Sequence, residues 1–168
     1  MRLLYFFLFS IAAMSMPMMA DEEMAHKKLP LSESLPLLKT IESSALRMGN
    51  GPDKVHVFVD PMCPHSRNFV EMISESEKMR SRYSYYFYLY TLPRLHSETV
   101  VAAIYNAKDP TESLLDVMVK HKKVTSTEVK NNTVTTKVNA IADVAKQIDV
   151  YKRPYIIMVK KPKKKREK

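Results

Sequence analysis

The stretch VFVDPMCPHSRNFV, residues 57–70, holds the only cysteine of the chain, Cys63, followed by Pro64, His65 and Ser66. The thiolate, not the thiol, attacks disulfides, so a cysteine gains chemistry where its neighbours favour negative charge. Before it, KVHVFVD alternates Val55, Val57 and Val59 with His56 and Phe58, which reads as a strand stopped at Asp60-Pro61. After it a helix begins, so Cys63 falls at a helix N-terminus, where unbonded backbone N–H groups and the helix dipole stabilise a thiolate. Pro64 suits the first helical position, having no N–H to lose, and a protonated His65 would add positive charge beside the sulfur. The spacing is C-x-x-S. Ser66 can hydrogen-bond a thiolate but cannot resolve a mixed disulfide, which excludes a dithiol cycle within the chain. Monothiol chemistry remains: attack on a substrate disulfide with an external thiol releasing the product, or capture of an oxidised cysteine. The plain alternative is an inert cysteine packed as a small hydrophobe.

The elements that must position Cys63 follow from periodicity and turn signals. Residues 34–48 read as a helix closed by Gly49, Asn50, Gly51 and Pro52. SRNFVEMISESEKMRSR sets Phe69, Val70, Ile73 and Met79 on one helical face. SYYFYLYTL, residues 84–92, is a nearly continuous apolar run suited to a central strand, ended by Pro93. Residues 55–92 thus form a β-α-β unit with parallel strands. SETVVAAIYNAK and TESLLDVMVKHK predict two short helices broken at Asp109-Pro110, the second starting at Thr111 or the Pro-Thr pair; TSTEVKNNTVTT predicts a polar loop. TKVNAIADVAKQI places Val138, Ile141, Ala142, Ala145 and Ile148 at helical spacing, and YIIMVK after Pro154 is a second candidate buried strand.

The 168 residues suit one domain. Residues 1–20 have Arg2, an apolar run from Leu3 to Phe9 and then small residues, the layout of a signal peptide. Cleavage fits near Ala20 or near Ser15, with an uncleaved anchor as the alternative. Export makes the periplasm the expected location, and an unpaired exported cysteine suggests a reactive thiol or an intermolecular bond. Of the net charge of +9, most lies in KKPKKKREK, which carries seven positive charges and one negative, so the body is close to neutral. Such a tail reads as a disordered end, with electrostatic binding to anionic lipid as the alternative; export argues against a nucleic-acid partner.

VFVDPMCPHSRNF resembles the active-site segment of thioredoxin-fold periplasmic disulfide isomerases of the DsbC/DsbG type. The likeness continues through YLYTLPRLHSE, IYNAKDPTESLLDVMV and DVYKRPYIIMV, over roughly residues 54–160. It implies an α/β, thioredoxin-like fold with a helical insertion, Cys63 as nucleophile, Pro64 and His65 as the intervening pair, and Pro154 as a cis-proline that offers backbone to an extended substrate. The sequence departs from the family at Ser66, in place of the second cysteine, and at Asn106, near where the isomerases can carry a structural cysteine. It departs again at Arg153, which precedes the proline where a small or β-branched residue is usual. Arg153 would stabilise a thiolate, bind an anionic substrate group, or point outward. The family's last strand and helix are absent, so the sheet is expected to be incomplete, with the exposed region covered by the N-terminal helix or by a partner, or with the chain a degenerate copy of the family. Residues 21–53 are too short for a separate dimerisation domain, and a monomer is expected. The expected organisation is a signal peptide (1–20), an N-terminal helical segment (21–53), a thioredoxin-like domain (54–160) and a basic tail (161–168).

Three functions follow. The first is a monothiol oxidoreductase, with Cys63, Ser66 and His65 catalytic and with Pro64, Arg153 and Pro154 binding substrate. Its partners are exported proteins carrying disulfides or oxidised cysteines and an external thiol reductant, with no cofactor and no metal. The second is a chaperone or assembly module that keeps the groove without turnover. The third is copper handling by Met62, Cys63 and His65, whose spacing is not diagnostic; His26, His56, His96 and His121 read as surface or strand residues.

Overall fold

A computed structural model describes residues 26, 28–124 and 132–160, so the expected signal peptide and the whole basic tail (161–168) lie outside the described residues. Four strands form one sheet in the order β1-β3-β2-β4: β1 (Leu46–Met48), β2 (Asp53–Val59), β3 (Tyr83–Leu89) and β4 (Tyr155–Val159). β2 and β3 run parallel in the centre, with Val57 beside Phe87, and β1 and β4 pair antiparallel on either side. The parallel pair is joined by α2 (Pro64–Glu75) and α3 (Glu77–Arg82), the crossover that the β-α-β reading requires. Both strands are buried over their last five residues, which is why they read as apolar runs rather than as alternations.

Flanking helices complete the core. α1 (Leu31–Ile41) packs against α6 (Asn132–Gln147), and α4 (Glu98–Asn106) and α5 (Pro110–Met118) form a hairpin that meets α6 and α2. Asp109 caps α5, its carboxylate accepting the N–H groups of Thr111 and Glu112 at 2.9 Å, with Pro110 at the first helical position. Leu38, Ile41, Val57, Phe58, Val70, Ile73, Phe87, Ile104, Leu114 and Ile141 fill the interior.

The structure corrects four expectations. The first helix starts at Leu31 and ends at Ile41, and residues 46–48, expected to be helical, form β1: Leu46 and Met48 are buried and Arg47 is exposed, a period of two. The helix after Cys63 breaks at Ser76, whose ψ of 100° and side-chain cap on the Met79 N–H restart it as α3. α6 begins at Asn132, inside the expected polar loop, of which residues 125–131 lie outside the described residues. Last, β4 is not buried on both faces: Tyr155 and Ile157 point inward, whereas Ile156 and Met158 are 41% and 42% exposed. Among the described residues, no strand pairs with its outer edge and no strand or helix follows it.

Candidate functional site

Cys63 is the N-cap of α2, in extended conformation, and its carbonyl accepts the Arg67 N–H at 3.0 Å. Pro64 occupies the first helical position. The N–H groups of His65 and Ser66 therefore stand in the first turn, where no carbonyl lies four residues back in the helix. The turn leading in is built by Asp60, which is fully buried. Its Oδ1 accepts the Met62 N–H at 2.8 Å, an Asx-turn, while its Oδ2 accepts the Leu92 N–H at 2.5 Å and the Ser97 hydroxyl at 2.8 Å. One carboxylate thus joins the end of β2, the segment after β3 and the start of α4. Arg67 adds a second tie, donating from Nε to the Pro61 carbonyl at 2.7 Å.

The Cys63 thiol is buried and donates a long hydrogen bond, 3.9 Å, to the carbonyl of Arg153. The Arg153–Pro154 peptide bond is cis. The Arg153 side chain neither points outward nor projects free into the cavity. Its guanidinium lies over the Tyr90 ring, 3.9 Å from the centroid, and donates to the carbonyls of Tyr90 (3.0 Å), Val150 (3.1 Å), Thr91 (3.2 Å) and Lys152 (3.4 Å). Burial pulls it below its ordinary pKa range, and the negative ends of Tyr90, Asp60 and Cys63 oppose that shift. Arg153 is thereby a clamp between the end of β3 and the proline turn, holding the carbonyl opposite the sulfur.

Of the sequence-selected residues, Cys63, His65 and Arg153 share one hollow of about 490 Å³, lined also by Leu92, Pro93, Arg94, Tyr151 and Lys152. His65 is exposed at its rim. Ser66 is brought to a different place: fully buried, its Oγ accepts the Asp60 N–H at 3.3 Å, so it secures the turn under the sulfur. Pro154 lines the adjoining hollow with Tyr151, Lys152 and Tyr155. Sequence reasoning missed Asp60, read only as a strand stop, and its buried partner Ser97. An aspartate three residues before the helix cap would have signalled the turn, but not its contacts more than thirty residues away. Met62 is half-exposed with its sulfur 3.3 Å from the Arg67 guanidinium, a cation where a soft metal ion would have to sit. Among the described residues no group of three or more His, Cys, Asp or Glu side chains could hold a metal.

Away from this site, burial pulls the His56 imidazole down to about 4, with Glu42 opposing and Lys54 adding to the shift. His56 Nδ1 lies 3.0 Å from the Tyr88 hydroxyl, and its ring stacks on Tyr86.

No family model matches the sequence, and no curated protein matches it. Solved structures do. A disulfide interchange protein from Neisseria gonorrhoeae superposes with a TM-score of 0.55 at 22% identity, over 73% of this chain and 89% of that one. A putative protein-disulfide isomerase from Pseudomonas syringae gives 0.54 at 18% identity, over 70% and 87%. The catalytic domain of Proteus mirabilis ScsC gives 0.56 at 12%, over 75% and 85%. The fold is therefore thioredoxin-like, with α4 and α5 inserted between β3 and α6, and it lacks a strand and helix after β4 among the described residues.

Proposed function

We propose that this chain is an exported thiol oxidoreductase of the disulfide-isomerase kind, acting on protein disulfides through the single nucleophile Cys63. The observation that carries this reading is the placement of the Cys63 thiol at the α2 N-cap, lining a hollow and facing the carbonyl that precedes a cis-proline. Solved structures of the same fold are disulfide interchange and isomerase proteins, which supports the reaction class. The leader-like layout of residues 1–20 supports export to the periplasm.

The chemistry balances with one cysteine. The Cys63 thiolate attacks one sulfur of a substrate disulfide, forming a mixed disulfide and expelling the other substrate sulfur as a thiolate. A second thiolate of the same substrate then attacks the substrate sulfur of the mixed disulfide and expels Cys63, so the substrate is isomerised with no net redox change. If a low-molecular-weight thiol attacks instead, it leaves as a mixed disulfide with the substrate, and a second such thiol completes reduction. Residues of the turn hold the sulfur for these steps: Asp60 and Ser66 fix the approach to α2, Arg153 fixes the opposing carbonyl, and His65 stands at the rim. An oxidised cysteine of a substrate, as a sulfenic acid, would be captured by the same thiolate with loss of hydroxide.

The test is incubation of the purified protein with bis(2-hydroxyethyl) disulfide, followed by intact mass. A single thiol adduct on the native chain and none on Cys63→Ser is the expected result, together with reshuffling of a scrambled disulfide protein. Absence of any adduct on the native chain overturns the reading. The burial of Cys63 favours a second one, a binding module, in which suppression of aggregation of an unfolded protein would be unchanged in Cys63→Ser.

A further inference from the structure

Three hollows that share lining residues lead from Cys63 past Pro154 to β4, whose outer edge no described strand pairs. The hollow at Cys63 shares Tyr151 and Lys152 with the one beside Pro154, and that one shares Lys28, Tyr155 and Ile156 with a third formed by β4 and the segment leading into α1. β4 is the last strand of the sheet, so one of its backbone edges is unpaired among the described residues. Five strand residues span about 17 Å.

The lining has a definite chemistry. Of the six large apolar side chains that the described surface exposes, four lie on this track: Leu31, Tyr151, Ile156 and Met158. The charged side chains that line it are cationic or imidazole, among them Arg94, Lys152 and Lys28, and no carboxylate lines any of the three hollows. Asp149, beside the track, is taken by His26 at 3.1 Å. An unpaired strand edge offers main-chain donors and acceptors to an extended peptide, and alternate side chains select what docks.

We propose that the β4 edge is a docking groove for an extended polypeptide segment in which acidic and apolar residues alternate, adding as a fifth strand and delivering a neighbouring disulfide to Cys63. This rests on the exchange reading above and names the substrate class of that site. Backbone pairing would supply affinity, Ile156 and Met158 would take the apolar residues, and Lys28 and Lys152 would meet the carboxylates.

The test separates docking from chemistry. A short fluorescent peptide of alternating Glu and Val around a central serine is titrated into full-length Cys63→Ser, alongside the same peptide with Lys for Glu. The acidic peptide should bind at least about tenfold tighter and weaken with salt. Methylation of alternate backbone N–H groups of the peptide should abolish binding, and Lys28→Glu with Lys152→Glu should reverse the charge preference. Equal binding of the two peptides, or binding of neither, overturns the proposal. Capture of bis(2-hydroxyethyl) disulfide by the native chain without a peptide preference would leave the exchange reading standing and remove the groove. Peptide preference without any capture would keep the groove and remove the exchange reading.

Discussion

Arg153 shows how main-chain acceptors can hold a buried charge in place beside a reactive sulfur. Four backbone carbonyls and one aromatic face occupy its guanidinium. Arg153→Ala strands several of those acceptors and is expected to cost about 3 kcal/mol, read as a lower urea midpoint. Arg153→Lys should recover less than half of that loss, because an ammonium cannot reproduce the planar fork of donors. Asp60→Ala should be as damaging, about 2–4 kcal/mol, since it removes one acceptor from three donors in a dry site. A loss of disulfide capture in Asp60→Ala that exceeds the unfolded fraction would show that the turn, and not only the fold, positions Cys63. At this scale the sequence was legible where chemistry is local. Cys63, Pro64 and His65 declare a helix start and a thiol within four letters. Arg153 and Asp60 could not be read in the same way, because the partners that tie them to other elements lie from 32 to 63 residues distant along the chain, and only folding brings them together.

Elements were readable in proportion to how strongly burial patterned them. β2 and β3, buried through their inner halves, stood out, and so did α2. β1 did not, because three residues carry too little alternation to outweigh the helical signal before them. The turn from β1 to β2 is a place where a single atom matters. Gly49 has φ +82°, and a Cβ on Gly51 would run into the Arg82 carbonyl group. Gly51→Ala should therefore cost about 1–3 kcal/mol in a urea titration. β2 also carries a titrating group. With the folded-state pKa of His56 down at about 4 from the ordinary 6.5, the unfolded chain takes up a proton first as the pH falls. The stability linked to His56 is fully present above about pH 6.5 and declines towards pH 4, at no more than about 1.4 kcal/mol per pH unit. Urea midpoints of the native chain should fall between pH 7 and pH 5 more steeply than those of His56→Phe.

The whole molecule is asymmetric. One side of the sheet ends in the short strand β1, and the other ends in β4 with apolar side chains in the open. An exposed apolar strand edge invites pairing between copies. Met158→Lys should reduce light scattering at high protein concentration while changing the unfolding free energy from urea titration by less than about 0.5 kcal/mol, because the side chain is 42% exposed. The sequence announced the incomplete sheet only through a family resemblance. What covers the edge was left open there, and among the described residues no strand covers it.

The frame around Cys63 is tied almost wholly through main-chain atoms: carbonyls for Arg153, amides for Asp60 and for Ser66. The side chains that colour the hollow, His65, Leu92, Arg94 and Lys152, take no part in that bonding among the contacts described. Rigidity and taste are thus written in separate sets of letters. Substitutions at the rim would change what the hollow accepts and leave the sulfur's frame untouched.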